Sequence, residues 1–127
     1  MSVPLFLSME AVLELHEASL RSFGGSEGIR DPGALEAAVF QPQNVYFYAR
    51  GDFYDIAAAY AFHIAESQAF IDGNKRTAIS GALVLLVVNG IPAPTQTDVL
   101  HGAMIDIARR RLDRVGLADL LLKLFPA

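Results

Sequence analysis

Apolar residues recur along this chain at intervals of three and four, the spacing of one face of an α-helix. From Ser8 onward Met9, Val12, Leu13, His16 and Leu20 form such a stripe, with Ser8 placed to cap the helix and Gly24-Gly25 to stop it. A short second helix is predicted with Asp31 as cap, Pro32 in the first helical position, Leu35, Ala38 and Val39 on one face, and Pro42 as its end. The stretch QNVYFYARGD that follows keeps no period of either kind and reads as a loop or flap. Residues 53–67, FYDIAAAYAFHIAES, are apolar nearly all round, which predicts a helix packed on several sides. After the interruption AFIDGN a longer helix resumes over residues 74–89, closed by Asn89-Gly90 with Pro92 beyond. Thr97 or Asp98 is placed to cap a further helix with Leu100, Ala103, Met104, Ile107 and Ala108 inward, and Gly116 starts a last short one running to Leu124. No strand-like alternation persists and no internal repeat is present, so the pattern predicts an all-α bundle.

Composition narrows what this bundle does. A chain of 127 residues that is 53% hydrophobic can bury one core, so a single domain over residues 1–127 is expected. The absence of cysteine excludes disulfides and thiolate metal sites. A net charge of −4 argues against broad attraction to nucleic acid or to an anionic membrane, so any anion must be held locally. The opening MSVPLFLSMEAV lacks the basic start and long apolar stretch of an export signal, and the longest apolar run, residues 82–88, is far below the roughly 20 residues needed to span a bilayer. A cytoplasmic protein with a buried helix at residues 82–88 is the expectation.

The chemistry gathers where the two most apolar helices meet. A helix that starts at or near Asn74 leaves the backbone N–H groups around Asp72, Gly73 and Asn74 unpaired and able to converge on an anion. Gly73 lets the chain approach closely, and Lys75 and Arg76 put two cations in the first turn. Cations there oppose the helix dipole at a cost of about 0.3–1 kcal/mol each, which a bound phosphate would offset. The competing reading is an ordinary Asp-Gly-Asn turn with solvated charges. Asp72 is open to two roles, as cap of the following helix or as ligand of a magnesium ion bridging phosphate oxygens.

The segment QAFIDGNKRTA, residues 68–78, resembles the central motif of Fic and Doc proteins, in which His-x-Phe-x-Asp/Glu-x-Asn precedes Gly-Arg or Lys-Arg. Phe70, Asp72, Asn74, Lys75 and Arg76 match it, and GGSEGIRDPGALEAAVFQPQ and ALVLLVVNG extend the likeness over most of the chain. Lys75 stands where adenylyl-transferring members carry a second glycine, and Ile79 where they carry a second arginine, which is the pattern of the Doc, or death-on-curing, branch. The resemblance implies a helical Fic/Doc fold and a toxin of a toxin–antitoxin pair, a kinase that uses ATP and magnesium to phosphorylate elongation factor Tu and is silenced by a cognate antitoxin. It implies that Asn74, Lys75 and Arg76, with Gly73, hold nucleotide phosphates, that Asp72 serves metal or phosphate, and that Phe70 anchors the loop.

One position departs from the pattern. Gln68 occupies the place of the histidine that serves the family as general base, and an amide does not titrate near neutrality, so a loss of about 10²–10⁴-fold in rate is expected. A non-catalytic module that keeps the fold and acts by partner contact is the alternative reading. His63, five residues earlier, lies about 7.5 Å back along its helix and is expected to be a packed core histidine with its ring nitrogens bonded. His16 and His101 show no metal-ligand spacing and are given no role. Asp55 and Glu66 either bond to the loop or to Arg76 or face water. The arginines at 109–111 complement a helix C-terminus, and Tyr46, Phe47 and Tyr48 fill core space or form a lid.

Overall fold

The computed structural model describes residues 3–94 and 97–127. Among these residues the chain is all-helical, in the order α1 (Met9–Phe23), α2 (Pro32–Phe47), α3 (Phe53–Ser67), α4 (Asn74–Val88), α5 (Thr97–Ala108) and α6 (Arg114–Leu124). The single bridge outside the helices joins Ile29 to Phe70. Helix α3 is the hub, packed against α2, α4, α5 and α6. Its alanines at 57, 58, 59 and 61 are all buried, so neighbours approach its backbone on several sides, and Ile56, Tyr60 and Ile64 fill the spaces between. Among the described residues no helix is long and apolar enough to cross a membrane.

The predicted starts and stops hold for α1, α3 and α4. The Ser8 side chain accepts from the Ala11 N–H, and Gly24 closes α1 at φ 80°. Asp52 and Asp55 form a reciprocal capping box ahead of α3. Asp55 is therefore committed to its own helix start and not to the loop or Arg76. Helix α6 begins at Arg114, two residues ahead of the expected Gly116, because the Asp113 side chain caps it by accepting from the Gly116 N–H.

Helix α2 is the main correction. It does not stop at Pro42 but runs through it to Phe47. A proline inside a helix removes one backbone hydrogen bond and typically costs about 3 kcal/mol. Here Pro42 falls on the same buried stripe as Leu35, Ala38, Val39 and Val45, and burial of its ring against the core offsets that loss. The segment taken for a flap is therefore half helix. Phe6 packs against Tyr46 and Phe47, while Tyr48 is exposed.

Three smaller corrections concern helix ends. Val87 and Val88 are exposed although Leu85 and Leu86 are fully buried, because only one side of the last turn of α4 faces the core. Ala108 is exposed at the end of α5 rather than inward. Thr97 and Asp98 both lie inside α5, so its cap falls on residues outside those described.

Tyr60 ties the extended N-terminal segment to the hub. Its hydroxyl accepts from the Leu7 N–H at 2.8 Å and donates to the Leu7 carbonyl at 3.2 Å. Burial pushes the phenol up to about 12 from an ordinary value of 10.0. The unfolded chain therefore gives up this proton first, so the stability that Tyr60 supplies is complete below pH 10 and is lost as pH rises toward 12. Urea unfolding at pH 9 and pH 11 is expected to show this loss. Tyr60→Phe starts about 1–2 kcal/mol less stable and loses less over the same range.

Candidate functional site

The turn between α3 and α4 reverses the chain in few residues, and its local conformation follows from what fills it. Helix α3 ends at Gln68, whose backbone is left-handed at φ 46°, ψ 37°, an uncommon state for a residue with a side chain. Gly73 makes the second left-handed step at φ 82° and stands at the N-cap of α4, where glycine carries no steric cost. Between them Phe70 is fully buried and anchors the loop, as expected.

Asn74 closes the loop on itself. Its Oδ1 accepts from the Phe70 N–H at 3.0 Å, and its Nδ2 donates to the Phe70 carbonyl at 2.9 Å. Its side chain is thus tied to Phe70 by one bond at each end, which leaves a ligand its backbone N–H and the remaining Nδ2 hydrogen and Oδ1 lone pair. From outside, the segment ahead of α2 zips along the same loop. Arg30 and Asp31 donate their N–H groups to the Ala69 carbonyl at 2.6 and 3.1 Å, and the Ile71 N–H donates to the Gly28 carbonyl at 3.1 Å.

His16 supports the loop from below, a role that the sequence reading did not assign. The ring is buried, stacks on Phe70 with centroids 3.7 Å apart, and lies 2.8 Å through Nε2 from the Asp72 carbonyl oxygen, to which it donates. Its membership of the α1 stripe made an inward position legible. Its partner, 56 residues away, was not.

Asp72 does not cap α4. One carboxylate oxygen accepts from the Ser26 N–H at 2.9 Å, while α4 has no side-chain cap and no acidic residue in its first turn. The first N–H groups of α4 are therefore left without the usual side-chain acceptor, beside Lys75 and Arg76. Both cations are exposed, and the Arg76 guanidinium lies 4.4 Å from the centroid of the Phe23 ring, a cation–π contact that steadies it.

This helix start opens on a cavity of about 550 Å³. Gln68, Asp72, Gly73, Asn74, Lys75 and Arg76, the residues singled out from the sequence, all line it. Helix α5 and the turn after it supply a further wall with His101, Met104, Ile107 and Arg110, and Glu66 stands at the edge. His101 and Arg110 were missed because nothing local marks a residue that reaches a site some 30 positions upstream. His63 does not line the cavity. It is half-buried with its ring edge-on to Phe62, and burial, with the Arg114 charge, holds its pKa below the ordinary value.

The donor set also bears on a metal. Among the described residues no group of three or more His, Cys, Asp or Glu side chains is gathered to hold an ion. Two carboxylates, Asp72 and Glu66, line the cavity, a donor set that suits a magnesium ion arriving on phosphate oxygens with most of its water better than a resident metal in a protein cage.

The family profile described as "Fic/DOC family" matches residues 6–86, which covers α1 to α3, the loop and all but the last two residues of α4. The chain belongs to the Fic/DOC family. "Protein kinase doc" from Escherichia phage P1 is 32% identical over 123 residues, covering 94% of each chain. "Toxin Doc" from Mycolicibacterium smegmatis (strain ATCC 700084 / mc(2)155) is 36% identical over 119 residues, covering 89% of this chain and 88% of that one. These likenesses reach past the profile through α5, so in this Fic/DOC chain both walls of the cavity fall within the aligned length.

Asn74→Ala removes both ends of the clasp on Phe70 and is expected to lower stability by about 1–3 kcal/mol, measured by urea unfolding. A change below about 0.5 kcal/mol would mean that the loop does not depend on this clasp.

Proposed function

We propose that this chain is a Doc-like toxin of a toxin–antitoxin pair, acting in the cytoplasm as a phosphotransferase that takes phosphate from ATP, with a protein hydroxyl on a translation factor such as elongation factor Tu as acceptor. One observation carries the nucleotide reading. A helix start with no side-chain cap, two adjacent cations and the Asp72 carboxylate beside it opens on a cavity large enough for a nucleotide. Such a helix end favours negative charge through its free N–H groups and its dipole, and Lys75 and Arg76 add charge-assisted contacts. The names of the relatives, a protein kinase and a toxin, support the activity and the biological role.

Each residue has a part in this reading. The backbone N–H groups around Gly73 and Asn74, with Lys75 and Arg76, bind and neutralise phosphate oxygens. Asp72 holds the magnesium ion that ATP carries, and this ion supplies further neutralisation of phosphate charge when bound. The α3–α4 turn fixes where Gln68 presents its amide. In that place the amide can orient an acceptor hydroxyl by hydrogen bonding but cannot remove its proton, so phosphoryl transfer would rest on positioning and charge stabilisation alone. The cognate antitoxin remains the expected partner.

Two measurements test the proposal. Titration calorimetry with ATP and magnesium is expected to show binding that Lys75→Ala/Arg76→Ala weakens by roughly 2 kcal/mol, about 30-fold, the modest end for two charge-assisted contacts because both side chains are exposed. Gln68→His is expected to raise transfer of labelled phosphate, and toxicity on expression, by about 10²-fold or more by restoring a titratable base. A histidine variant that folds and binds ATP yet gains no activity would instead favour a binding module that acts through partner contact.

A further inference from the structure

The wall of the cavity built by α5 ends in a backbone conformation that needs an explanation. The Arg110 N–H bonds to the Ile107 carbonyl at 3.0 Å and the Arg111 N–H to the Asp106 carbonyl at 2.8 Å. This pair of bonds is the Schellman closure of a helix, which places one residue in the left-handed region. At α5 that residue is Arg110, with φ 59°. The same closure ends α4, where the Gly90 N–H bonds to Val87 and the Ile91 N–H to Leu86, and there the left-handed position holds glycine at φ 92°. The chain thus uses the unstrained residue in one copy of the turn and an arginine in the other. A side chain in this conformation is disfavoured by about 1 kcal/mol relative to glycine.

Packing does not account for the arginine. Arg110 is exposed, and among the described residues no carboxylate lies within ion-pair distance of it. It does line the cavity that Lys75 and Arg76 line, and it also borders an adjoining hollow of about 520 Å³ shared with Glu66 and Ile107. Of the three left-handed residues with side chains, Gln68, Arg110 and Arg50, the first two are on the walls of this one cavity. Strained backbone that persists beside a site is often kept for where it puts the side chain.

We propose that Arg110 is a specificity-determining residue, a cation on the α5 wall that binds the phosphate chain of a nucleoside polyphosphate held at its other end by Lys75 and Arg76. The inference rests on the reading of the cavity as a nucleotide site. A ligand with several phosphates reaches both cationic walls, whereas a monophosphate satisfies one. Glu66, on the same edge, disfavours an anion that is not also held by Arg110.

The test compares Arg110→Gly and Arg110→Lys with the parent chain in calorimetric titrations of ATP and of AMP, each with magnesium, together with thermal unfolding. Arg110→Gly is expected to weaken ATP by about 3–10-fold and AMP by less than 2-fold, while the melting temperature stays level or rises, because glycine fits the turn. Arg110→Lys is expected to recover part of the ATP affinity, as a charge in the same place would. Unchanged ATP affinity in Arg110→Gly overturns the proposal, as does a falling melting temperature with ATP and AMP weakened alike, the mark of a structural role. Binding lost in Lys75→Ala/Arg76→Ala but kept in Arg110→Gly overturns it while leaving the nucleotide reading intact. No ATP binding by the parent chain overturns both.

Discussion

Two helices that are apolar on nearly every side, α3 and α4, have to be joined by a turn lying against the same core that buries them. The buried residues of that turn, Ala69 and Phe70, must find partners for their backbone groups, because an unpaired buried group costs about 1–3 kcal/mol. Asn74 answers for both polar groups of Phe70, His16 for the Asp72 carbonyl, and the segment ahead of α2 for Ala69 and Ile71. These constraints leave the loop one shape. The first N–H groups of α4 have no side-chain acceptor, and the residues that carry them line the cavity.

The site is thus made by subtraction as much as by addition. Glycine rather than aspartate stands at the N-cap of α4, and Asp72 turns to Ser26, so no internal acceptor quenches the helix end. Lys75 and Arg76 then raise the local positive potential in a chain whose overall charge is −4. A locally positive hollow on an acidic protein favours small anions over extended polyanions such as nucleic acid, whose phosphates would also meet the acidic remainder of the surface.

Much of this was legible in the residues. Caps such as Ser8 and Asp31 marked helix starts because their chemistry is local, and the spacing of Phe70, Asp72, Asn74, Lys75 and Arg76 placed the loop. Pro42 misled because a local rule met a tertiary exception: its ring lies on the buried stripe of α2, and sequence spacing does not weigh core burial against a lost hydrogen bond. His16 was unassigned, and Arg110 was read only as complementing a helix C-terminus, because their further meaning depends on what lies across space. The clasp of Asn74 on Phe70 was not legible for a related reason, since a motif gives residue identity and spacing but not which way an amide is turned.

The zipper between residues 24–31 and the α3–α4 loop bears on how the molecule comes to exist. Its contacts, with that of His16, join positions 38 to 56 apart in the chain, whereas each helix closes bonds only a few residues apart. Closing long loops costs entropy before it returns contact energy, so local helices form first and long-range docking follows. The chain therefore acquires its helicity earlier than its loop geometry. Backbone spectroscopy during refolding would report a nearly finished protein while the binding loop is still unformed, and the competence of the site is set by the slowest docking event rather than by helix content.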